Sequence, residues 1–219
     1  MKRTILITGA TSGLGKAIAE YYLSIGDDIM SLSRTGAHWD YDLRDSEVLT
    51  QMIDDMQGDD PLLGRDNIDV LINNAGQLIL GERMEHATEQ FNLLLRAPYL
   101  LIELLKERFN KGGHIINIAS VSGMKADPDT PMYGACKAGL INMTRSYARK
   151  LAPNIRVNCI SPGFFNTKLC PLPVPQRLID PVPLQRAADA PEIIPVVKML
   201  DESNYITGAN IVIDGGLNA

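Results

Sequence analysis

Residues 8–15 read Thr-Gly-Ala-Thr-Ser-Gly-Leu-Gly, and this stretch decides the fold of the 219-residue chain. A short apolar run at 4–7 precedes it and predicts a buried strand, while the apolar spacing of residues 16–23 predicts a helix after it. A helix N-terminus offers unpaired N–H groups to an anion, and glycine lets the backbone approach phosphate oxygens without a Cβ in the way. Because a strand and a helix flank the turn, the sequence predicts a phosphate-binding turn rather than an ordinary tight turn.

Short apolar runs alternate with amphipathic segments along the rest of the chain, which is typical of a parallel sheet with helices on both faces. Asp45 and Asp189 stand at expected helix N-caps. No linker or repeat interrupts the pattern, so residues 1–219 are expected to form one doubly wound α/β domain of three layers. We predict strands over 4–7, 29–33, 70–72, 114–118, 156–160 and 211–213, and helices over 14–25, 46–56, 87–109, 133–151 and 191–200.

The composition excludes several classes of function. A net charge of −5 disfavours nucleic acid or an anionic membrane as the main partner. No segment approaches the roughly 20 apolar residues that span a bilayer. The three cysteines and three histidines show no metal-ligand spacing, so no metal site is predicted. The odd number of cysteines and the lack of a signal-peptide pattern indicate a cytoplasmic protein.

A second set of motifs follows the glycine-rich turn in a fixed order. With this set in view, the chain resembles the short-chain dehydrogenase/reductase family over residues 4–216, and its NADP-dependent members in particular. The resemblance implies a Rossmann-type fold and hydride transfer between a nicotinamide cofactor and a carbonyl or alcohol carbon. The motifs that carry it are Asn73-Asn74-Ala75-Gly76, Ser120, Tyr133 with Lys137, Ser161-Pro162-Gly163, Ile206-Thr207-Gly208 and Asp214-Gly215-Gly216.

The resemblance also implies which residues bind the cofactor. Asp42 stands in the family's position for touching the adenine, and Thr167 in the position that reaches the carboxamide or the phosphates. The Asn73–Gly76 turn fits either packing against the adenosine or a simple end of a strand. The implied cofactor-binding residues are Gly9, Thr11, Ser12, Gly13, Leu14, Gly15, Ser33, Arg34, Asp42, Leu43, Asn74, Ala75, Gly76, Tyr133, Lys137, Pro162, Gly163 and Thr167.

Three residues are candidates for catalysis. Tyr133 and Lys137 are four apart and share one helix face, although such pairs are common between surface neighbours. Ser120 ends the predicted strand at 114–118, where doubly wound sheets bind ligands, and Ser122 is its nearby alternative. A nearby cation lowers the pKa of a tyrosine, which makes Tyr133 a usable acid or base. The family implies that Ser120 holds the substrate oxygen and that Lys137 binds the ribose and tunes Tyr133.

The residue that ends the second strand predicts the cofactor. A carboxylate there bonds the ribose 2′-hydroxyl of NAD, whereas an arginine accommodates the 2′-phosphate of NADP. The chain has Ser33-Arg34, and a guanidinium suits a phosphate well. We therefore expect NADP (NADPH) to be favoured over NAD, the alternative for Arg34 being a solvated loop charge.

Two stretches depart from the family pattern. Residues 35–39 are too few for a helical crossover, which normally takes a dozen or more residues, so the region after the second strand is expected to be shortened. Aligning 95–98 with the family's usual run puts Leu94 at the position of the catalytic asparagine. Asn92 lies two residues away on a different helix face, so no asparagine is assigned to catalysis.

Residues 164–190 contain five prolines and are not expected to form a regular strand. They form either a surface excursion or a lid over the substrate, and the resemblance favours the lid. The apolar residues of this segment predict an apolar pocket wall but do not identify the substrate.

The expected function is that of an NADP(H)-dependent oxidoreductase that works as a carbonyl reductase, or as an alcohol dehydrogenase in the reverse direction. A non-catalytic NADP-binding regulator is the alternative, because the position of the usual asparagine holds Leu94. The apolar helices at 87–109 and 133–151 predict a homodimer or homotetramer.

Overall fold

The computed structural model describes residues 2–37, 39–57, 68–79, 84–170 and 172–219. The strands in these residues form one seven-stranded sheet. They are β1 (Thr4–Thr8), β2 (Asp28–Ser33), β3 (Trp39–Asp40), β4 (Ile68–Asn73), β5 (Phe109–Ile118), β6 (Ile155–Pro162) and β7 (Asn210–Ile213). Their order is β3-β2-β1-β4-β5-β6-β7, and every pairing is parallel. The prediction of a doubly wound Rossmann-type sheet is confirmed.

Helices cover both faces of the sheet. The α-helices are α1 (Gly13–Ser24), α2 (Ser46–Gln57), α3 (Met84–Phe91), α4 (Ala97–Leu105), α5 (Pro131–Leu151), α6 (Gln176–Ile179) and α7 (Ile194–Glu202). A π-helical segment at Asn92–Arg96 joins α3 to α4, and 3₁₀ turns lie at Lys106–Arg108, Val121–Gly123 and Ala190–Ile193. Within the described residues, no helix has the length and apolar character needed to cross a membrane.

The alternation of side chains along the strands builds two cores. Leu6 and Leu71 face one side of the sheet and pack in a cluster with residues of α4 and α5. Ile5 and Ile72 face the other side and pack with residues of α1 and α7. Because successive strand residues point to opposite faces, a continuous apolar run is what a sheet buried on both sides requires.

The region after β2 is shortened, as the sequence predicts. β3 contains two residues and pairs in parallel with the end of β2, Leu32 opposite Trp39 and Ser33 opposite Asp40. Only five residues connect β2 to β3, which is too few for a helical crossover.

The helix predicted over 87–109 is present, with different ends and an irregular middle. It begins at Met84, passes through the π-helical segment and ends before Phe109, which opens β5. Pro98 explains the irregular middle, because proline has no N–H to donate to the carbonyl of Leu94 and its ring crowds that carbonyl. The apolar spacing predicts the helix but does not show this change of hydrogen bonding.

Residues 164–190 leave the sheet after β6 and return close to their starting point. The amide of Asn166 donates to the carbonyl of Ala188 at 2.8 Å, and the amide of Ala188 donates to the carbonyl of Phe164 at 3.0 Å. Phe165 and Ile179 are buried, so the described part of the segment is packed against the domain. Whether it moves as a lid stays a prediction.

Candidate active site

The carboxyl ends of the central strands open into a cavity of about 440 Å³. The order of the strands reverses between β1 and β4, and such a crevice is where doubly wound sheets bind ligands. Of the cofactor and catalytic residues expected from the sequence, all except Gly15 line this cavity. The fold thus brings residues from seven separate segments of the chain to one place.

The glycine-rich turn forms the floor of the cavity beside the N-terminus of α1. Gly9 and Gly13 have positive φ angles of 71° and 56°, a conformation that favours glycine. Gly15 is not among the residues that line the cavity. It packs closely against the turn, since a Cβ at position 15 would lie 2.3 Å from the carbonyl oxygen of Gly9 and 2.4 Å from Nδ2 of Asn74. The glycine at 15 therefore allows α1 to pack against the turn, and its expected contact with the cofactor becomes an indirect role.

Asn74 ties the turn to the end of β4. Its Nδ2 donates to the carbonyl oxygens of Thr8 at 3.0 Å and Gly9 at 3.2 Å. The backbone amides of Asn74 and Ala75 both donate to Oγ1 of Thr8 at 2.9 Å. These bonds hold the Asn-Asn-Ala-Gly turn against the glycine-rich turn, and Asn74, Ala75 and Gly76 also line the cavity.

Ser120, Tyr133 and Lys137 line the cavity together, and a hydrogen bond joins the Ser120 and Tyr133 side chains. Tyr133 and Lys137 lie on one face of α5, with Lys137 Nζ 5.7 Å from the centre of the Tyr133 ring. The Lys137 ammonium donates to the carbonyl oxygen of Ile118 at 2.7 Å, which directs it to the end of β5. Ser120 Oγ accepts from the amide of Ser122 at 3.1 Å. Ser122 itself does not line the cavity, so the geometry selects Ser120 from the two candidates.

Burial governs the protonation of the tyrosine and the lysine. It raises the pKa of Tyr133 to about 12, against the opposing effect of a hydrogen bond with Ser120. It also lowers the pKa of the Lys137 ammonium to about 8. The net shift of the Tyr133 pKa is thus upward, and the lowering effect expected of Lys137 stays a prediction. Tyr133 holds its proton at neutral pH, which is the form a proton donor needs.

The residues at the expected asparagine position do not supply an amide to this group. Leu94 is 1% exposed and packs in the core. Asn92 turns the other way, where its Nδ2 donates to the carbonyl of Arg44 at 2.8 Å and to Oγ of Ser46 at 2.9 Å. The sequence argument against a catalytic asparagine at 92 is consistent with this placement.

The charges in the cavity suit an anionic ligand. Four cationic side chains line it among the described residues, whereas Asp42 supplies its only carboxylate there. Hydrogen bonds from Arg44 hold the pKa of the Asp42 carboxyl below its ordinary value, so it stays ionised. The cations are Arg34, Arg44, Lys137 and Lys168. A protein of net charge −5 thus presents a locally positive cleft.

Several lining residues were missed by the sequence analysis. Arg44 and Gln77 directly follow the Asp42-Leu43 and Asn-Asn-Ala-Gly motifs, and this adjacency is the signal that was available. Lys168 and Cys170 follow Thr167, whose Cβ would lie 3.4 Å from a Cβ built on Gly13. Segment 167–170 therefore lines the cavity from the glycine-rich turn, where Thr167 lies, to Cys170, which acts on Tyr133. The described residues contain no group of His, Cys, Asp or Glu that would hold a metal ion.

Comparisons with known proteins show the family and the fold to which this chain is similar. The sequence model of a family described as Enoyl-(acyl carrier protein) reductase matches residues 9–218. A 3-oxoacyl-(acyl-carrier-protein) reductase from Thermotoga maritima is 32% identical over 241 aligned residues, which cover 98% of this chain and 97% of that protein.

Two solved structures share the fold over nearly the whole chain. A blue fluorescent protein from a metagenomic library, in complex with NADPH, has a TM-score of 0.87 at 26% identity, with 99% of this chain and 98% of that chain covered. A 4-hydroxyisoleucine dehydrogenase complexed with NADH has a TM-score of 0.85 at 29% identity, with 99% of both chains covered. Similarity therefore extends to proteins that hold either nicotinamide cofactor.

Proposed function

The chain belongs to the short-chain dehydrogenase/reductase family and is an oxidoreductase, and we propose that it interconverts a carbonyl compound and its secondary alcohol with NADP(H), with Tyr133 as the acid or base. The observation that carries this proposal is the meeting of Ser120, Tyr133 and Lys137 at one end of a positively charged cavity whose floor is the glycine-rich turn. A binding protein without chemistry has no need for a buried tyrosine and a buried lysine at that point.

The residues that line the cavity would hold the nicotinamide cofactor, which when bound would supply the hydride for the carbonyl carbon. The Tyr133 hydroxyl donates its proton to the carbonyl oxygen, and the Ser120 hydroxyl holds that oxygen by a hydrogen bond. Lys137 binds the ribose and stabilises the charge that develops on the Tyr133 oxygen when its proton leaves. Alcohol oxidation uses the same residues in the opposite sense, with Tyr133 as the base.

The preference for NADP(H) rests on the charges at the adenosine end of the cavity. Arg34 lines the cavity directly after β2 and is exposed, so it is available to a 2′-phosphate. The single carboxylate of the cavity, on Asp42, is engaged by Arg44 at 2.6 Å and adds little repulsion. We expect the wild-type protein to bind NADPH at least tenfold more tightly than NADH. Arg34→Asp should reverse that order in a binding titration, and equal affinities of the native protein would contradict the charge argument.

Tyr133→Phe tests the mechanism. The substitution keeps the ring and removes the proposed proton donor, so turnover of NADPH on a panel of ketones and aldehydes should fall by about 100-fold or more. NADPH affinity should stay within about threefold of wild type. Tyr147→Phe is the matched control, because Tyr147 lies on the same helix and donates to Glu103 at 2.6 Å, away from the cavity. Wild-type turnover by Tyr133→Phe on a verified substrate would overturn the assigned role.

A non-catalytic, NADP-binding regulator is the second candidate, favoured by the core position of Leu94 where the family pattern has asparagine. The two functions differ in one measurement. An enzyme oxidises NADPH in the presence of a carbonyl compound, and a regulator binds it with no turnover across the panel. Tight NADPH binding with no detectable oxidation of any ketone or aldehyde would favour the regulator.

The proposal includes self-association and a cytoplasmic location. Four of the seven leucines in 93–105 are buried within the chain itself, so they offer less apolar surface to a second subunit than the sequence suggests. Phe91 and Tyr99, on the same helical stretch, are 41% and 47% exposed and could contact a second subunit. The three cysteines are free, as in a reducing compartment. Light scattering at micromolar concentration should report a dimer or tetramer, and a monomer would contradict this part of the proposal.

A further inference from the structure

The loop at 42–44 forms the wall of the cavity on the side where the crossover after β2 is short. All three of its residues line the cavity. Asp42 and Arg44 are partly shielded, with side chains 33% and 27% exposed. Because no helix stands between β2 and β3, the position of this loop has to be fixed by its own contacts.

Arg44 fixes the carboxylate of Asp42 through several hydrogen bonds. Its Nε donates to Oδ1 at 2.9 Å and its Nη2 donates to Oδ2 at 2.6 Å, which is the two-point geometry of a guanidinium and a carboxylate. Its backbone amide also donates to Oδ1, at 3.1 Å. A carboxylate has about four lone-pair directions, so roughly one acceptor site remains on Asp42 for another donor.

Arg44 is itself held from two further sides. Its Nη1 donates to Oε1 of Gln77 at 3.3 Å, on the far side of the loop in the segment that follows β4. Its carbonyl oxygen accepts from Nδ2 of Asn92 at 2.8 Å. Asn92 also reaches Ser46 at the start of α2, so the π-helical segment anchors the loop at two points. These contacts leave the Asp42–Arg44 pair little freedom to rotate.

The resemblance already implies that Asp42 touches the adenine. We infer that Arg44 is the positioning residue for this contact: it fixes the orientation of the Asp42 carboxylate, so that one acceptor site stays available to the amino group of the adenine. The inference rests on the proposed function, because it assumes that a nicotinamide adenine dinucleotide occupies this cavity. The ligand chemistry it names is an adenine ring with its exocyclic amino group. Arg34 remains free to meet the 2′-phosphate, so the two arginines have separate tasks.

Fragments of the cofactor test this inference. Arg44→Met keeps the aliphatic stem and removes the guanidinium, so 5′-AMP and NAD⁺ should bind about tenfold more weakly, while nicotinamide mononucleotide binds as in wild type. Arg44→Lys should remain at least threefold weaker than wild type, since a point charge lacks the planar fork. Arg186→Met is the matched control, because it breaks another two-point pair, with Glu192 at 2.7 Å, outside this cavity. It should leave all three affinities unchanged.

Two further measurements separate positioning from a general structural role. In an Asp42→Asn background, Arg44→Met should cost less than threefold, because the carboxylate on which it acts is gone. The ratio of the Arg44→Met and wild-type dissociation constants for NAD⁺ should also rise about twofold from pH 7 to pH 4, as Asp42 without its guanidinium partner takes up a proton near its ordinary pKa. Titration of the ligand itself cancels in this ratio.

The outcomes are distinct from those that test the function. If wild type binds neither NADPH, NAD⁺ nor 5′-AMP, the proposed function fails. If wild type binds these ligands and Arg44→Met binds them equally well, or if its loss is the same for nicotinamide mononucleotide, the inference about Arg44 is wrong while the function stands. If the Arg44→Met variant does not fold, Asp42→Asn is tested in its place, because it keeps the shape of the pair. This variant should bind 5′-AMP about tenfold more weakly than wild type. An unchanged affinity of Asp42→Asn for 5′-AMP would overturn the inference.

Discussion

Gly15→Ala should destabilise the protein although Gly15 does not line the cavity. The new Cβ would lie 2.3 Å from a backbone oxygen and 2.4 Å from Nδ2 of Asn74, so the helix or the turn must move. Moving Asn74 breaks its two hydrogen bonds to Thr8 and Gly9, each worth about 1 kcal/mol, and overpacking adds about 2 kcal/mol. The better helix propensity of alanine returns at most about 1 kcal/mol. The net loss is about 3 kcal/mol.

Gly76→Ala is the control for that variant, because it adds the same methyl group at a glycine that has room for it. Gly76 lines the cavity, and the nearest atoms to a Cβ there are 3.6 Å and 3.7 Å away, which is ordinary contact. The two variants should therefore separate stability from binding. By thermal unfolding, Gly15→Ala should lose about 6–12 °C, using the usual 2–4 °C per kcal/mol for a chain of this size. Gly76→Ala should unfold within about 2 °C of wild type and bind NADPH more weakly. A Gly15→Ala protein as stable as wild type would refute the packing argument.

Three further predictions concern the helix, the sheet and the loop. Leu94→Asn restores an amide at the family's asparagine position, so turnover of the folded variant should stay unchanged or rise, and a fall in turnover would contradict this. Burying the amide in the core should cost about 2–4 kcal/mol of stability. His114 is buried beside Asn158 and Arg156, and burial holds its pKa well below 6.5, so the unfolded chain takes up the proton first. The free energy of unfolding, measured in urea, should therefore fall by about 1.4 kcal/mol from pH 7.5 to pH 5.5. The His114→Leu variant should lack this decrease, and an equal pH dependence of the two proteins would exclude His114 as its cause. Amide exchange in the described part of 164–190 should slow when NADPH and a substrate bind together, whereas equal rates would make the segment a plain surface loop.

The sequence predicts this sheet well because its signals are local. Each apolar run is bounded by glycine, proline or polar residues, and a strand buried on both faces has to be apolar throughout. The helix predicted over 87–109 lacks its π-helical middle for a local reason too: Pro98 removes one hydrogen bond, and the apolar spacing of the leucines around it does not show the change. Periodicity reports which residues are buried, whereas hydrogen bonds decide where a helix changes its pitch.

The site is predicted only as far as motif positions go. Gly15 belongs to the motif, yet its place is set by the carbonyl of Gly9 and the amide of Asn74, a residue 59 positions away. Arg44 belongs to no motif, yet it lines the cavity because Asp42 and Gln77 hold it there. The contact of Gly15 with Asn74 and the hydrogen bond of Arg44 with Gln77 join residues far apart in the chain, and they become visible only when the strands are placed side by side.

The Asn92 amide shows how one departure from the family pattern accounts for another. The crossover after β2 is short, so the loop at 42–44 lacks the packing that a helix would provide. Asn92 donates to the carbonyl of Arg44 and to Ser46, and thus stabilises that loop from the π-helical segment. A side chain that makes these bonds cannot also face Lys137, and Leu94, two residues further along, is buried in the core. If this account is right, Asn92→Ala should weaken 5′-AMP binding about threefold to tenfold and leave nicotinamide mononucleotide unaffected. A loss confined to nicotinamide mononucleotide would place Asn92 at the catalytic end after all, and would separate the shortened crossover from the missing asparagine.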